Sequence, residues 1–335
     1  MLLWWHGSVD SSPTVTCLLY TQAAEGYNLP VRKKVVHIGL KKEKHMKFIR
    51  QFQWILVLLS LLILCVPVLS SAAESAGPEY DPDSLTYELV WADEFDTDGL
   101  PDPARWTYNT GGNGWGNGEQ QYYMAEGNAA VENGILTIEL REEKGNGTYY
   151  SSARMLTKGL CDWLYCKIEV RAKLPSGRGT WPAIWMLPTD RVYGEWPASG
   201  EIDIMEHVGY DPDVVVQSLH TKKNNGGSAV TLSTPVPGSR EEFHIYGMEW
   251  LPDRIVFTID GEQTHIYEKP ETAEGEKVSD VWPFDQRMHL LINLAWGGSW
   301  GGREGTDKSC LPARLEVDYV HVYQSPEILA LTGQE

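Results

Sequence analysis

Apolar and polar residues alternate at period two along most of the chain beyond residue 86. Gly134-Ile-Leu-Thr-Ile-Glu-Leu140, Lys167-Ile-Glu-Val-Arg-Ala-Lys173, Arg254-Ile-Val-Phe-Thr-Ile-Asp260 and the run from Arg314 to Tyr323 each place their apolar side chains on one face of an extended chain. That pattern predicts half-buried β-strands. Asn133-Gly134 and Asp260-Gly261 mark turns between them, because these residues tolerate the backbone angles a tight reversal needs. No long stretch carries a helical period, and neither an internal repeat nor a low-complexity tract interrupts the series. Many short alternating strands predict one antiparallel β sandwich or barrel. A single domain is expected over 86–325, after a linker at 74–85 and before a tail at 326–335.

The first 73 residues have another pattern. Met46-Lys-Phe-Ile-Arg50 is a short basic start, Trp54 to Leu69 is a mostly apolar run, and Ser70-Ser-Ala-Ala73 follows it. Basic, then apolar, then small is the order of a secretory signal, and the run is short for a membrane span of about 20 residues. Leu64 before Cys65 is too bulky for a lipoprotein signal. Residues 46–73 are therefore expected to be a signal peptide cleaved close to Ala72–Ala76, and the protein to be secreted. An uncleaved anchor is the other reading, and the only one that involves a membrane. Residues 1–45 precede the point where a signal should begin and show neither clear periodicity nor a core pattern. They are expected to add no strands to the domain, either because the start codon is placed too early or because they form a disordered extension.

Charge and composition narrow the partners. The chain has 28 Lys+Arg against 46 Asp+Glu and a net charge of −18; residues 1–73 hold eight basic and three acidic residues, so the remainder carries −23. Binding phosphates requires clustered Lys and Arg, so nucleic acid and anionic lipid are not expected partners. Fourteen Trp and 16 Tyr stand beside six Phe. Amphipathic aromatics in such excess suit stacking on sugars or other flat ligands; a Trp-rich core accounts for them equally well. Beyond residue 73 the cysteines are Cys161, Cys166 and Cys310. At most one internal disulfide can form; Cys161 and Cys166 are close enough for a local bridge, or both are free.

The densest chemistry lies in Trp196-Pro-Ala-Ser-Gly-Glu201-Ile-Asp203-Ile-Met-Glu206-His207. On a strand Glu201 and Asp203 share a face. Glu206, five residues from Glu201, falls on the other face unless one extra residue, a β-bulge near Met205, restores it. Three carboxylates on one face repel one another. Two of them at about 5–5.5 Å are what retaining glycoside hydrolysis needs, one as nucleophile and one as proton donor. A solvated polar face is the plainer alternative. A metal site is favoured less, because no clear His pattern accompanies the acids.

The segment Trp196 to Glu206, with its Glu-x-Asp-x-x-Glu spacing, resembles the bulged signature of glycoside hydrolase family 16. Other segments match in the family's order from about Leu89 to Gln324: Gly114-Trp-Gly-Asn117-Gly-Glu119-Gln-Gln-Tyr-Tyr123, Ser152-Ala-Arg154, Arg171-Ala-Lys-Leu-Pro175, Trp181-Pro-Ala-Ile-Trp185-Met-Leu-Pro188, Asn293-Leu-Ala-Trp-Gly-Gly298 and Val317-Asp318-Tyr-Val-His-Val-Tyr323. The resemblance implies an all-β, concanavalin A-like β-jelly-roll sandwich of two curved antiparallel sheets with a glycan cleft on the concave face. It assigns Glu201 as nucleophile, Glu206 as general acid/base and Asp203 as helper, with no cofactor for catalysis. The motifs look most like the laminarinase branch, which cuts β-1,3-glucans, so a polysaccharide is the expected partner of a monomeric enzyme. Agarases and carrageenases share the bulge, but a sulfated substrate suits a basic cleft, against the acidic balance here. A transglycosylase, or a non-catalytic glucan-binding domain that has lost the acids, are the other readings; all three acids are present.

The same resemblance places Trp196 at the subsite next to the cleaved bond. Trp115, Trp181 and Trp185 are further candidates for stacking on sugar rings, each with core packing as the alternative. Asn117 and Arg154 match positions that hydrogen-bond sugar hydroxyls, and His220 matches a histidine near the cleft. Glu119 is expected to brace the loop that holds Asn117, and His207 to be structural. Asp318, with Glu94 and Gly134 largely through backbone carbonyls, matches a structural Ca²⁺ site on the convex face, where hard oxygen ligands suit the ion. Cys166 and Trp296 depart from the family's usual glycine and smaller apolar residue.

Overall fold

In the computed structural model, residues 80–143 and 150–334 are described in full, together with the backbone of 14–18 and 35–39. The chain divides into two units, Met1–Ser75 and Ala76–Glu335. In the first, β1 (Thr14–Leu18) and β2 (Val35–Gly39) pair antiparallel, Thr14 opposite Gly39. Strands of five residues are too short for alternation to stand out along the chain, which is why the pattern gave no sign of this pair. The expected signal segment lies outside the described residues.

The second unit is built from β3 (Glu88–Asp93), β4 (Thr107–Tyr108), β5 (Tyr122–Tyr123), β6 (Ala129–Glu132), β7 (Ile135–Glu142), β8 (Tyr150–Ser152), β9 (Arg154–Leu156), β10 (Cys166–Lys173), β11 (Thr180–Pro188), β12 (Glu201–Glu206), β13 (Val214–His220), β14 (Val230–Pro235), β15 (His244–Trp250), β16 (Arg254–Ile259), β17 (Glu262–Glu268), β18 (Met288–Trp296) and β19 (Ala313–Gln324). One sheet runs β14-β13-β12-β11-β18-β9-β4. The other runs β17-β16-β15-β10-β19-β7-β8-β5, with β3 also on β19 and β6 also on β7. This is the expected jelly-roll sandwich, and the core lies between the sheets. Strand β10, between β15 and β19 in the second sheet, buries every second residue, Cys166, Ile168, Val170 and Ala172, and turns the rest outward. Strand β18 is buried at all nine positions. Its alternate residues face the core on one side and the floor of a loop-walled cleft on the other, so it reads as nearly continuous apolar sequence.

Two further points refine the sequence reading. The expected tail begins with a short helix, Pro326–Thr332, because Ser325 caps it by accepting from the Ile328 N–H at 3.3 Å and Gly333 closes it at φ 67°. Cys161, Cys166 and Cys310 are all free thiols.

Candidate active site

The bulge that the carboxylate spacing requires is present. Trp185 on β11 lies opposite Asp203, while Ile184 lies opposite Met205, so Ile204 is the extra residue. Ile202, Ile204 and Met205 all enter the core, whereas Glu201, Asp203 and Glu206 all turn into the cleft. A regular strand would have sent Glu206 into the core and Met205 into the cleft.

The cleft encloses about 960 Å³. Its walls include every residue singled out from the sequence for sugar contact: Trp115, Asn117, Arg154, Trp181, Trp185, Trp196 and His220. The indoles do more than offer flat faces. Trp196 donates its Nε1–H to Glu201 Oε2 at 2.8 Å, and Trp181 donates its own to Glu206 Oε1 at 2.9 Å. Each outer carboxyl is thus held by one tryptophan. Trp196 remains half exposed, free to meet a sugar ring, while Trp181 is buried. On the floor, Arg154 lies between two aromatic faces, 4.9 Å from the Trp115 ring and 4.6 Å from the Trp185 ring. Burial lowers its pKa, and its Nε has no hydrogen-bond partner among the described residues.

Burial raises the pKa of all three acids in the cluster. Glu201 moves from 4.5 to about 8, through burial first and then the charge of Asp203. Asp203 is raised by burial. Glu206 is raised well above its ordinary value by burial, with the charges of Asp203 and Glu201 pushing further the same way. Three crowded carboxyls hold on to a proton at neutral pH, and Glu206, whose charge both neighbours oppose, is where it rests. His220 Nε2 lies 3.1 Å from Asp203 Oδ2 and 3.8 Å from Glu201 Oε1. One ligand atom each from Glu201, Asp203 and His220 fall within 4.8 Å of one another; a cation there would need an unprotonated His220 Nε2.

The loop that opens the cleft is bound to the floor through Glu119. Its carboxylate accepts from Asn117 Nδ2 at 3.3 Å, from Gln121 Nε2 at 2.6 Å and from Tyr123 OH at 3.2 Å. Tyr123 OH in turn accepts from Asn293 Nδ2 at 3.1 Å, and Asn293 Oδ1 accepts from Trp185 Nε1 at 2.7 Å. The brace expected of Glu119 is therefore one end of a chain reaching the sugar-facing Trp185. Asn293, Tyr123, His289 and Trp300 are four of the residues at the cleft and its brace that sequence reasoning did not single out. Alternation along β18 places His289, Leu291, Asn293 and Ala295 on the cleft face, and that period would have found two of the four. His207 is buried and donates from Nδ1 to the Val214 carbonyl at 2.8 Å, in keeping with a structural role. Trp296 is wholly buried in the core.

Glu94, Gly134 and Asp318 lie on the other sheet. Along β19, Val317 pairs with Leu136 of β7 and Val320 pairs with Asp93 of β3. Asp318 therefore faces the gap between the end of β3, where Glu94 follows, and the start of β7, which Gly134 precedes. It is also the extra residue opposite β10, where Arg171 pairs with Tyr319 and Ala172 with Val317. Its carboxylate is paired with Arg171, and that of Glu94 with His321 at 2.6 Å. The three residues converge on one gap, with hard oxygens of the kind Ca²⁺ takes, but the one carboxylate assigned to an ion already has a cation beside it.

A two-sheet jelly roll with paired carboxyls on its concave face, each held by an indole, defines a protein that acts on glycosidic bonds. Residues 117–321 match Glycosyl hydrolases family 16, and the chain belongs to that family. It is 48% identical to the β-glucanase of Rhodothermus marinus over 273 residues, spanning 80% of this chain and 93% of that protein. It is 38% identical over 247 residues to a glucan endo-1,3-β-glucosidase of Cryptopygus antarcticus, spanning 69% of this chain and 90% of that protein. Among solved structures, the laminarinase of Rhodothermus marinus superposes with a TM-score of 0.69 at 49% identity, covering 72% of this chain and 99% of that one.

Proposed function

We propose that this chain is a retaining endo-β-1,3-glucanase. The observation that carries the reading is the Ile204 bulge, which brings Glu201, Asp203 and Glu206 to one cleft face under Trp196 and Trp181. Glu201 attacks the anomeric carbon as Glu206 gives its proton to the departing oxygen, leaving a glycosyl ester on Glu201 and a carboxylate on Glu206. Glu206 then takes a proton from water, the hydroxide adds at the same carbon, and the Glu201 ester is released. Two inversions return the original β configuration. The choice of β-1,3-glucan is supported by the β-glucanase and endo-1,3-β-glucosidase relatives.

The protein is secreted, its signal lying at 46–73, a reading that rests on the basic, apolar, small order of that segment. A structural Ca²⁺ held by Asp318 with backbone oxygens of Glu94 and Gly134 belongs to the same reading; its support is their convergence on one gap in the sheet register. Binding there requires Arg171 to release Asp318.

Product analysis on a panel of laminarin, mixed-linkage β-1,3/1,4-glucan, agarose and carrageenan tests the assignment. Internal cleavage of laminarin with β-configured products is expected. Cleavage of either galactan without action on laminarin refutes the substrate, and α-configured first products refute the double displacement.

A further inference from the structure

Trp181 differs from the other indoles of the cleft in how it is held. It pairs with Ala295 of β18 in the sheet, and its side chain packs with Val208 and Ala295 beneath Tyr210 and Trp300. The Trp300 ring meets it edge-on, with centroids 5.5 Å apart and planes at 78°. The turn after β18 closes over it. A Cβ on Gly301 would come within 2.9 Å of the Trp181 Cβ, and one on Gly298, at φ 75°, within 3.3 Å of the indole ring. A side chain at either position would push the turn off the indole. With 9% of its surface open, Trp181 offers a sugar ring almost no face, whereas Trp196 is half exposed.

What Trp181 does offer is one hydrogen-bond donor. Its Nε1–H reaches Glu206 Oε1 at 2.9 Å, an ordinary length for a bond that is made. Glu206 Oε2 accepts no hydrogen bond from a described residue and is not sealed from the cleft. The two oxygens are therefore unlike. Oε1 presents a lone pair to the indole, so the proton of the neutral carboxyl belongs on Oε2.

We propose that Trp181 is a positioning residue for the proton donor: clamped under the 297–302 turn, its N–H holds Oε1 of Glu206 and leaves the proton-bearing Oε2 facing the cleft, where the departing oxygen arrives. This rests on the reading of Glu206 as proton donor. Once the proton has gone, the same N–H meets a full negative charge and its bond strengthens. Trp181 thus favours the ionised carboxyl and works against the rise in the pKa of Glu206. The other groups that act on Glu206 are Asp203 and Glu201 of its own strand, whose charges raise its pKa, and His220 of β13, which lowers it. Ala183 of β11 and Val216 of β13 stand opposite it in the sheet, and neither titrates.

The sign of the consequence is fixed. Without the Nε1–H, the ionised form of Glu206 loses a partner and its pKa rises further. Glu206 keeps its proton to higher pH and gives it up less readily. The alkaline limb of kcat/KM therefore moves up, and the step that needs the proton slows.

Two arms test this on the full-length protein. First, ¹⁵N NMR follows the indole N–H groups, with the Trp181 signal identified by its loss in Trp181→Phe. That signal is expected to move as Glu206 ionises and to lose the movement in Glu206→Gln. The same pH course in both proteins overturns the proposal, and this arm does not depend on what Glu206 does in catalysis. Second, Trp181→Phe is compared with replacement of Trp181 by benzothienylalanine, which keeps the shape of the indole and carries sulfur in place of its N–H. Both should move the alkaline limb of kcat/KM on polymer up by about 1 pH unit and lower kcat several-fold. The first turnover of an activated aryl β-glycoside, which needs no proton, should keep about the parent rate. The benzothienyl variant decides the outcome if phenylalanine disturbs the fold. An unmoved limb with a raised KM marks a sugar-stacking residue and overturns the proposal, as does a limb that moves down. Azide trapping at Glu206→Ala separates the two readings. Its failure beside a titrating indole signal refutes the donor assignment; its success beside an unmoved limb refutes the role of Trp181 alone.

Discussion

Two strands of this fold each carry an extra residue beside acidic side chains, and the two outcomes differ. On β12, the bulge at Ile204 keeps Asp203 and Glu206 on the cleft face, where burial drives the pKa of every member of the cluster upward. On β19, the bulge at Asp318 leaves a half-exposed carboxylate paired with Arg171. The same backbone device therefore delivers either a proton reservoir or a cation's partner. What differs is the surroundings: indoles and other carboxyls in one case, guanidinium and solvent in the other. Water and an opposite charge favour ionisation; a dry floor with like charges opposes it.

The sharpest way to separate the two bulges is to remove their acids. Glu201→Ala should lose activity on polymer and on an activated aryl β-glycoside alike. Glu206→Ala should lose about 10²–10⁴-fold on polymer while still turning over the aryl glycoside, whose leaving group needs no proton. Added azide should give a β-glycosyl azide with Glu206→Ala and an α-glycosyl azide with Glu201→Ala. The opposite anomers would reverse the two assignments. Asp318→Ala, on the convex sheet, should show none of this.

Stability should separate them next. Glu201 gives up its proton near 4.5 in the unfolded chain and near 8 in the folded one. Within that window the native state holds more protons, so its stability falls as pH rises, by at most about 1.4 kcal/mol per pH unit for each such group. Glu201→Gln removes the penalty. Urea unfolding should find it more stable than the parent at about pH 8, by on the order of 2 kcal/mol, and nearly equal at about pH 4.5. A parent whose stability rises across that range would show that the cluster is ionised at little cost.

The smallest effects belong to β19. If Ca²⁺ occupies the gap at Asp318, excess chelator should lower Tm by a few degrees, and Asp318→Ala should abolish that response. Arg171→Ala should cost about 0–1 kcal/mol, because its pair with Asp318 is partly solvated. An unmoved Tm with chelator removes the ion from the account and leaves Arg171 as the partner of Asp318.

Much of this was readable along the chain for a physical reason. Strand alternation is a local property, so β7, β10, β16 and β19 announced themselves, and one sequence interval of five between Glu201 and Glu206 was enough to demand a bulge. Trp196 and Trp181 were visible as candidates, but the N–H that each gives to a carboxyl depends on strands and loops far apart in sequence. The chain from Glu119 through Tyr123 and Asn293 to Trp185 crosses three such segments, and no residue type within it marks the connection. His220 is the clearest case. Only the family resemblance placed it near the cleft, and what holds its ring there is the backbone N–H of Gly226, which donates to Nδ1 at 3.1 Å. Alternation and spacing assign a side chain to a face; which charge it carries there depends on the groups that tertiary packing brings within a few ångströms.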